Sequence, residues 1–423
     1  MSKRVVITGL GVVAPNAVGV SSFRTAIQQG QSGIRFQPDL AELGFSCQLG
    51  GIPPVNDAIK HQYFTELQLR QLNCSGIVYG VIAGLEAWQN AGLLAAAEEP
   101  DWESGVVFGT GMLGVDKFRE AIYKVDQGQV RRLGSTVVVQ TMTSGVSAYL
   151  GGILGCGNQL TANSSACATG TEALLLAYDR IVSGAARRML AGSCSDHGPY
   201  IWGGFDAMRV LPYQYNQSPE RASRPLSTTA SGFVPGSGAG ALVLESLESA
   251  LERNAPILAE VLGGHVNSGG QRGGGSMTAP SAAAVQRCIQ KALEQAGIQG
   301  SDVDLIDGHL TATAKDPDEV NGWVNALGRR GADFPHINSL KSMLGHCLSA
   351  AGSIECVAAV LELYEGFVYP SLNSEDLHPD IIALVAPEKI PQQLVRKDIR
   401  IVAKANFGFG DVNACVILRK FES

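Results

Sequence analysis

One cysteine stands between small residues and the start of an apolar helical pattern, in the stretch NSSACATGTEALLLAYDRI at residues 163–181. One interpretation of Cys167 is packing, because free cysteine behaves as a small hydrophobe and is among the most buried residue types. The other is nucleophilic catalysis, because unpaired N–H groups at a helix N-terminus would lower the pKa of the thiol and favour the reactive thiolate. The cysteine alone leaves both interpretations open.

Three later stretches add groups that could act with this cysteine. His309 ends an apolar strand pattern in DGHLTATAKDPDE and is followed by two threonines spaced to face one way. The stretch SLKSMLGHCLSAAGSIE combines Lys341, His346 and Glu355 with a small-residue turn that opens a helix, and NFGFGDVNA is rich in glycine. A single histidine at a strand end is more often structural than catalytic. The order of these groups along the chain is therefore more informative than any one of them.

Other kinds of site fit the sequence less well. GTGMLG at residues 109–114 matches a GxGxxG pattern, but no strand with an acidic end follows about 20 positions later, as a dinucleotide site requires. We interpret these glycines as a turn that lines a pocket. The two histidines lie 37 residues apart without metal-ligand spacing, so no metal is expected. The chain also lacks the GxSxG elbow of a serine hydrolase.

The composition narrows the class of protein. The chain has 423 residues, of which 45% are hydrophobic, 17% are charged and 51 are glycine, and this predicts a large buried core with many tight turns. A net charge of −7 argues against a general nucleic-acid binder, whose affinity comes from clustered Lys and Arg. Nine cysteines, an odd number without CxxC pairs, favour a reducing compartment over a disulfide framework.

The N-terminal segment faintly resembles a signal peptide, because Lys3 and Arg4 precede the apolar run VVITGLGVVAP. That run is β-branched and is broken by Gly9, Gly11 and Pro15, which predicts a buried first strand and its turn. No stretch approaches the roughly 18 apolar residues of a membrane span. We therefore expect a cytoplasmic protein without a membrane span.

Strand and helix patterns alternate along the chain and must position the candidate residues. The predicted strands are RVVITGL, SGVVFGTG, NQLTANSSA, RMLAGS, GALVLESL, DLIDGH, HINSL, VAKANFGF and NACVILR. SGIVYGVIAGLEAWQNAGL predicts a helix, as do AAAVQRCIQKALEQAG and AGSIECVAAVLELYEG, each ended by a glycine. This alternation predicts an α/β protein whose strands are covered on both faces.

The chain divides into two halves of similar order and size, without a clear sequence repeat. We predict an N-terminal half at residues 1–245 that carries Cys167 and a C-terminal half at residues 246–423 that carries both histidines. Residues 198–235 are richer in aromatic, proline and polar residues. They predict irregular structure between the halves.

As a set, the motifs resemble the β-ketoacyl-[acyl carrier protein] synthase family, the condensing enzymes of fatty-acid and type II polyketide synthesis. The similarity runs from RVVITGLGVVAP to NACVILRK and rests on SSACATG, the H-x-T-x-T pattern, KSMLGH, SPERASRP…GFVPGSGAGALVLE and FGFG. The resemblance implies a thiolase-type fold with five layers (α-β-α-β-α) and two similar halves, usually as a dimer.

The resemblance also implies a decarboxylative Claisen condensation. Cys167 would accept the acyl chain as a thioester, and its backbone N–H would form an oxyanion hole with that of Phe409. His309 and His346 would stabilise the enolate left when malonyl-[acyl carrier protein] loses CO2. Such a role needs N–H donors aimed at developing negative charge, which two imidazoles supply.

Further site residues follow from the same resemblance. Lys341, paired with Glu355, would position the histidines and bias their charge. The phosphopantetheine arm of acyl carrier protein, the only cofactor-like group expected, would meet Thr278, Thr311 and Thr313. The acyl pocket would be shaped by Met112, Phe205 and the gatekeeper Phe409.

Several positions depart from the family pattern, among them Ser231, where aspartate is usual, and a residue missing before Asp316. HLTAT places Leu310 and Ala312 where small residues or glycine are usual, and Asp411 stands where a glycine of the gating loop is usual. Aspartate tolerates a left-handed backbone better than most residues, so the turn can survive. The departures leave gating and substrate preference open and suggest a specialised member, for polyene or aryl-primed chains.

Two relatives on the same fold remain alternatives. A chain-length-factor partner subunit lacks the nucleophile, whereas this chain has Cys167. A CoA-dependent thiolase uses a second active-site cysteine near the C-terminus, but Cys415 lies in the apolar strand pattern NACVIL, where burial is the better interpretation.

The expected partners are acyl carrier protein, which is acidic, and a second subunit in a homodimer or in a heterodimer with a related ketosynthase-like chain. Lys124, Arg131 and Arg132 form the predicted basic dock for the carrier protein. A solvated helix face explains these charges equally well.

Overall fold

In the part of the chain that the structure describes, the strands form one large mixed sheet and two small two-stranded sheets. The computed structural model describes residues 3–70 and 72–422. The strands in these ranges are β1 (Val5–Ala14), β2 (Ala17–Val18), β3 (Ile34–Phe36), β4 (Leu49–Gly51), β5 (Ser104–Thr110), β6 (Leu160–Thr161), β7 (Arg188–Ser195), β8 (Gly238–Ser246), β9 (Ala259–Ser268), β10 (Leu305–Asp307), β11 (His336–Asn338), β12 (Phe367–Val368), β13 (Val395–Arg396), β14 (Ile401–Gly408) and β15 (Val412–Arg419).

The helices differ widely in length, and the longest ones cover the large sheet. They are α1 (Val20–Gln28), α2 (Pro38–Glu42), α3 (Asp57–Tyr63), α4 (Glu66–Leu69), α5 (Ser75–Asn90), α6 (Val115–Asp126), α7 (Val137–Thr141), α8 (Gly145–Leu154), α9 (Thr169–Val182), α10 (Pro199–Ala207), α11 (Leu247–Glu252), α12 (Ala282–Ala296), α13 (Asp316–Leu327), α14 (Lys341–Leu344), α15 (Ala351–Glu365) and α16 (Pro379–Ile382).

The large sheet contains two sets of five strands with the same pairing pattern, and β2 adds an eleventh strand beside β1. In the first half β6, β5 and β7 are parallel, and β8 and β1 continue the sheet antiparallel. In the second half β11, β10 and β14 are parallel, and β15 and β9 continue it antiparallel. The halves join where residues 5–7 of β1 pair with residues 259–261 of β9. This confirms the predicted similarity of two halves, while the boundary at residues 245 and 246, at the end of β8, stays a prediction.

Two helices lie between the sheet halves. α9 packs against β5 and β7 of the first half and against β9 and β15 of the second, and α15 packs against β8 and β14. Every residue of α15 from 351 to 363 is buried, as expected for a helix covered on opposite sides. α5 and α8 cover the outer face of the first half, and α12 covers that of the second, with α13 packed on α12. These layers confirm the thiolase-type α-β-α-β-α fold.

The predicted first strand and its glycines are confirmed. All ten residues of β1 are buried. A Cβ atom on Gly11 would lie 1.9 Å from the carbonyl oxygen of Ala83, so this glycine lets α5 approach the sheet closely. Within the described residues, no helix has both the length and the apolar character needed to cross a membrane.

Several predicted elements differ from the structure. The helices that end at Gly297 and Gly366 are confirmed, with φ of 67° and 68° at the two glycines. The strand predicted in NQLTANSSA is mostly wrong, because only Leu160–Thr161 pairs as β6. The prediction of irregular structure at residues 198–235 overlooked α10. β9 was not predicted, because two glycines interrupt its apolar pattern.

Candidate active site

Cys167 lies in a single 3-10 turn, Ala166–Ala168, directly before α9. Ala166 has a φ of 49°, so the chain bends sharply before the cysteine. The hydroxyl of Thr169 holds the bend, because it accepts the backbone N–H of Ser165 at 2.9 Å and donates to the carbonyl of Ala166 at 2.7 Å. The turn places the thiol at the N-terminal end of a helix between the two sheet halves.

The loop after β14 reaches the nucleophile through backbone alone. A Cβ on Gly408 would lie 2.8 Å from the carbonyl oxygen of Ser165 and 3.1 Å from the backbone nitrogen of Cys167, so only glycine fits without displacement. The backbone N–H groups of Phe409 and Cys167 both act on the thiol and lower its pKa. The two N–H groups that would form an oxyanion hole therefore both lie close enough to the sulfur to interact with it.

The pKa of the Cys167 thiol differs from the sequence-based expectation. Burial raises it to about 11, and this effect outweighs the lowering by Lys341 and by the N–H group of Phe409. The expectation that the helix N-terminus lowers the pKa of this thiol is therefore wrong in net effect. The physical reason is that removal of water disfavours the thiolate more than the nearby N–H groups favour it.

His346 presents an N–H group to the sulfur. Its Nε2 lies 3.0 Å from Cys167 Sγ, and its Nδ1 accepts the backbone N–H of Leu348 at 3.2 Å. An accepting Nδ1 assigns the ring proton to Nε2. Burial, together with the charge of Lys341, lowers the pKa of His346 to about 3, so the ring is neutral at physiological pH.

His309 has the same tautomer through a side-chain partner. Its ring stands edge-on to that of His346, with centroids 5.3 Å apart. Its Nδ1 lies 3.1 Å from Asn406 Nδ2, which donates, so its proton is on Nε2. The Asn406 amide is oriented by Thr171, whose hydroxyl donates to Oδ1 at 2.6 Å. Burial, followed by Lys341, lowers the pKa of His309 well below its usual value.

A buried cluster of four charged side chains lies behind the histidines. Lys341 donates to Glu355 Oε1, and Lys404 Nζ lies 2.8 Å from Glu355 Oε2 and 3.7 Å from Asp307 Oδ1. Burial alone raises the pKa of Glu355, but the two ammonium groups outweigh it and lower the pKa. Burial raises the pKa of Asp307 more than Lys404 lowers it.

A cavity of about 560 Å³ opens onto the cysteine and both histidines. The remaining predicted site residues that line it are Met112, Phe205, Thr278, Thr311, Thr313 and Phe409. Lys341 and Glu355 are buried behind this wall. Lys124, Arg131 and Arg132 lie outside the cavity, on α6 and on the turn at Val130–Arg132, and Lys124 pairs with Glu120.

The two unusual residues of HLTAT adopt left-handed backbone conformations. Leu310 has a φ of 24° and Ala312 has a φ of 61°. The carboxylate of Glu319 accepts the backbone N–H groups of His309 and Leu310, each at 2.7 Å, and Asp316 accepts that of Thr311 at 3.0 Å. Glu319 and Asp316 of α13 therefore stabilise the left-handed backbone at Leu310 and Ala312, a conformation that glycine adopts more easily.

Asp411 ties the loop after β14 to the loop at residues 269–281. It has a φ of 60°, which agrees with the expectation that aspartate preserves this turn. Its carboxylate accepts the backbone N–H groups of Gln271 at 3.0 Å and Ser281 at 2.8 Å. Met277 in the same loop accepts the N–H of Gly410 at 2.8 Å.

The same site holds three potential metal ligands. The ligand atoms of Cys167, His309 and His346 lie within 4.8 Å of one another, although sequence spacing indicated no metal site. Lys341 and Lys404 place positive charge beside them, which opposes the binding of a cation. The absence of a resident metal stays a prediction.

Sequence reasoning missed Asn406, Lys404, Asp307 and Thr171. A signal was available in VAKANFGF, where Lys404 and Asn406 alternate with apolar residues in a strand that is buried throughout. Polar residues at alternate positions of such a strand share one face and need buried partners.

Comparisons with known proteins agree with this architecture. The family models of the beta-ketoacyl synthase N-terminal and C-terminal domains match residues 2–250 and 258–375. A chloroplastic 3-oxoacyl-[acyl-carrier-protein] synthase I from Arabidopsis thaliana is 34% identical, and the alignment covers 99% of this chain and 87% of that protein.

Two solved structures have the same fold along the whole chain. A ketosynthase in complex with its type II polyketide synthase acyl-carrier protein has a TM-score of 0.87 at 30% identity, with both chains covered completely. The ishigamide ketosynthase/chain length factor also has a TM-score of 0.87, at 27% identity and with the same coverage.

Proposed function

The chain belongs to the β-ketoacyl synthase family, and on this premise we propose that it is an acyltransferase that joins an acyl group held on Cys167 to malonyl-[acyl carrier protein] with loss of CO2. The observation that carries the proposal is the convergence of one thiol, two Nε2–H donors and two backbone N–H groups on one cavity. The product is a β-ketoacyl-[acyl carrier protein] two carbons longer than the acyl group.

The first half-reaction loads the cysteine. The thiol of Cys167 attacks the thioester of the incoming acyl carrier, and the backbone N–H groups of Cys167 and Phe409 stabilise the oxyanion of the tetrahedral intermediate. The carbon–sulfur bond to the carrier breaks, a new one forms to Sγ, and the thiol proton leaves with the carrier thiol. His346 donates Nε2–H to the sulfur while it is anionic.

The second half-reaction forms the carbon–carbon bond. The bond between the malonyl carboxylate and its α-carbon breaks, CO2 leaves, and the electron pair forms an enolate whose oxygen accepts the Nε2–H groups of His309 and His346. The α-carbon then attacks the thioester carbonyl on Cys167, and the carbon–sulfur bond breaks. The sulfur takes up a proton, which regenerates the thiol, and the β-ketoacyl product stays bound to its carrier. Both rings are neutral, and a neutral imidazole can stabilise the enolate oxygen by donating a hydrogen bond without transferring its proton.

The carrier arm enters past three threonines. Thr278, Thr311 and Thr313 line the cavity, and the hydroxyls of the last two lie 3.1 Å apart. Hydroxyl groups can donate to and accept from the amide groups of a phosphopantetheine arm. No permanently bound cofactor is needed for this chemistry.

We propose two partners for the chain. One is acyl carrier protein, with the basic dock at Lys124, Arg131 and Arg132. Reversing the charge of both arginines should raise the KM for carrier protein, and an unchanged KM would exclude this dock.

The other proposed partner is a second ketosynthase-like chain, identical or related. An exposed apolar face supports it, because Phe118, Ile122, Tyr123 and Val138 are all at least 46% exposed. Sizing of the isolated protein distinguishes a self-associating chain from one that needs a different partner.

The nine cysteines are all free, and eight of them are buried. Free thiols persist in a reducing compartment, which is why we assign the protein to the cytoplasm.

Intact-protein mass spectrometry tests the proposed reaction. The protein is mixed with acyl carrier proteins that bear different acyl groups, and malonyl carrier protein is added afterwards. We expect one acyl mass on the wild type and on Cys288→Ala, a control at a buried cysteine of α12, but none on Cys167→Ala. Malonyl addition should then release an elongated β-ketoacyl carrier protein. If Cys167 is never acylated, even with a partner subunit present, the proposed reaction is wrong.

A further inference from the structure

Lys404 is buried on a strand face where an apolar residue is expected. It lies in the middle of β14 and is 0% exposed. Val402 packs in the core between the sheet halves, whereas Ala403 and Ala405 pack on the opposite side of β14. By strand alternation Lys404 and Asn406 share the inner side with Val402. A buried ammonium group is costly unless it is paired, so its partners indicate its role.

The partners of Lys404 connect it to the histidines. Its ammonium group pairs with Glu355 Oε2 at 2.8 Å, faces Asp307 Oδ1 at 3.7 Å and donates to the carbonyl of Ala405 at 2.6 Å. Lys341 takes the other oxygen of Glu355. Each carboxylate oxygen of Glu355 therefore faces its own ammonium group, which keeps both oxygens ionised and able to accept.

Asn406 connects the ionised carboxylate of Glu355 to His309. Its Nδ2 donates to Glu355 Oε2 at 2.8 Å and lies 3.1 Å from His309 Nδ1, while Oδ1 accepts from Thr171. If Glu355 Oε2 carried a proton, it would become a hydrogen-bond donor to Asn406. The side-chain amide of Asn406 would then flip, so that its oxygen and nitrogen exchange places. Oδ1 would then face His309 Nδ1 and draw the ring proton from Nε2 to Nδ1.

We propose that Lys404 is a positioning residue for the decarboxylation of the malonyl group: it keeps Glu355 Oε2 an acceptor, and through Asn406 it holds the proton of His309 on Nε2. This inference rests on the proposed function, because the Nε2–H matters when an enolate oxygen develops beside it. Lys404 touches no substrate and acts only through Glu355 and Asn406. Acylation of Cys167 relies on backbone N–H groups and His346, so it does not depend on Lys404.

The test uses a double variant, Lys404→Met with Asp307→Asn. Methionine keeps the length of the side chain without its charge, and asparagine removes the carboxylate that would otherwise be left unpaired in the core. Acylation of Cys167 is followed by intact mass, and CO2 release from malonyl carrier protein is followed separately. We expect kcat for CO2 release to fall about 100-fold at unchanged KM, the typical cost of one preorganised donor to an oxyanion, with acylation close to wild type.

Two further variants separate positioning from general loss of packing. Thr171→Val removes the donor to Asn406 Oδ1 at nearly constant shape and should slow CO2 release in the same selective way. Arg253→Met with Glu245→Gln removes a partly buried ion pair whose other partners are Thr8, Ser249 and Ala91, outside the site, and should leave the ratio of the two half-reactions unchanged.

A spectroscopic measurement addresses the tautomer directly. Nitrogen NMR of selectively labelled histidine should assign the His309 proton to Nε2 in the wild type and to Nδ1 in the Lys404→Met/Asp307→Asn variant. If the wild type neither acylates nor releases CO2, the proposed function fails. If the wild type does both, and the double variant releases CO2 at the wild-type rate or loses both half-reactions equally, the role of Lys404 is refuted.

Discussion

His346 Nε2 lies 3.0 Å from Cys167 Sγ, while the other nitrogen of the ring accepts the backbone N–H of Leu348. The neutral ring therefore offers the sulfur a proton donor and has no free lone pair with which to deprotonate the thiol. The histidine stabilises negative charge on the sulfur and on a nearby oxygen. Thiolate formation is left to the surroundings of the thiol itself.

The raised pKa of the Cys167 thiol predicts slow alkylation that accelerates steeply with pH. Because only the thiolate reacts and the pKa of Cys167 is about 11, the rate with iodoacetamide should keep rising through alkaline pH. The measurement is peptide mass spectrometry at a series of pH values, with Cys167→Ala reporting the background from other cysteines. A rate that levels off below about pH 8 would mean that the thiol is more acidic than its burial implies.

Replacing His309 by leucine should separate the two half-reactions. The variant loses one Nε2–H donor to the enolate oxygen, so CO2 release should fall by about 100- to 1000-fold. Acylation of Cys167 should persist, and His265→Asn, on β9 outside the cavity, serves as the matched control. Loss of acylation in the His309→Leu variant would show that the histidine acts on the thiol instead.

The two histidines should also cause no inflection in the pH dependence of CO2 release near neutrality. Burial lowers the pKa of both His309 and His346, so each ring stays neutral as the pH falls through about 6.5, the usual value for histidine. We expect neither histidine to contribute an acid limb to the rate of CO2 release there. The measurement uses malonyl carrier protein at saturating concentration, and an inflection near that pH that disappears in His309→Leu would contradict this expectation.

Asp411 should determine how tightly the loop at residues 269–281 is held. Asp411→Ala removes the acceptors of the Gln271 and Ser281 N–H groups, so amide exchange at these two positions should rise about fivefold, in line with the loss of about 1 kcal/mol per hydrogen bond. Asp411→Asn keeps one oxygen acceptor and tolerates the left-handed backbone, so its effect should be smaller. Equal exchange in the wild type and both variants would exclude this tie.

Met112 should influence which acyl chains load onto the cysteine. It lines the cavity and is 46% exposed, so its side chain has room to move. Met112→Phe should shift acylation toward shorter chains and Met112→Ala toward longer ones. The measurement is the pattern of intact masses on Cys167 with a mixture of acyl carrier proteins, and identical patterns in all three proteins would place the limit of the pocket elsewhere.

The sequence determined the class of the protein and most of its chemical groups. Cys167, His309, Lys341 and His346 lie in short motifs whose residue types and order can be recognised without knowledge of the fold. Long β-branched and apolar runs also specified the alternation of strands and helices, since local periodicity reports local structure.

Tertiary structure decided how these groups are protonated and held. Lys404 and Asn406 on β14 meet Glu355 on α15 and Thr171 on α9 only because the two central helices pack between the sheet halves. Burial at that junction, which no local pattern encodes, raises the pKa of Cys167. Contacts across such sequence separations depend on how layers stack, and for this reason the tautomers of both histidines could not be derived from the motifs alone.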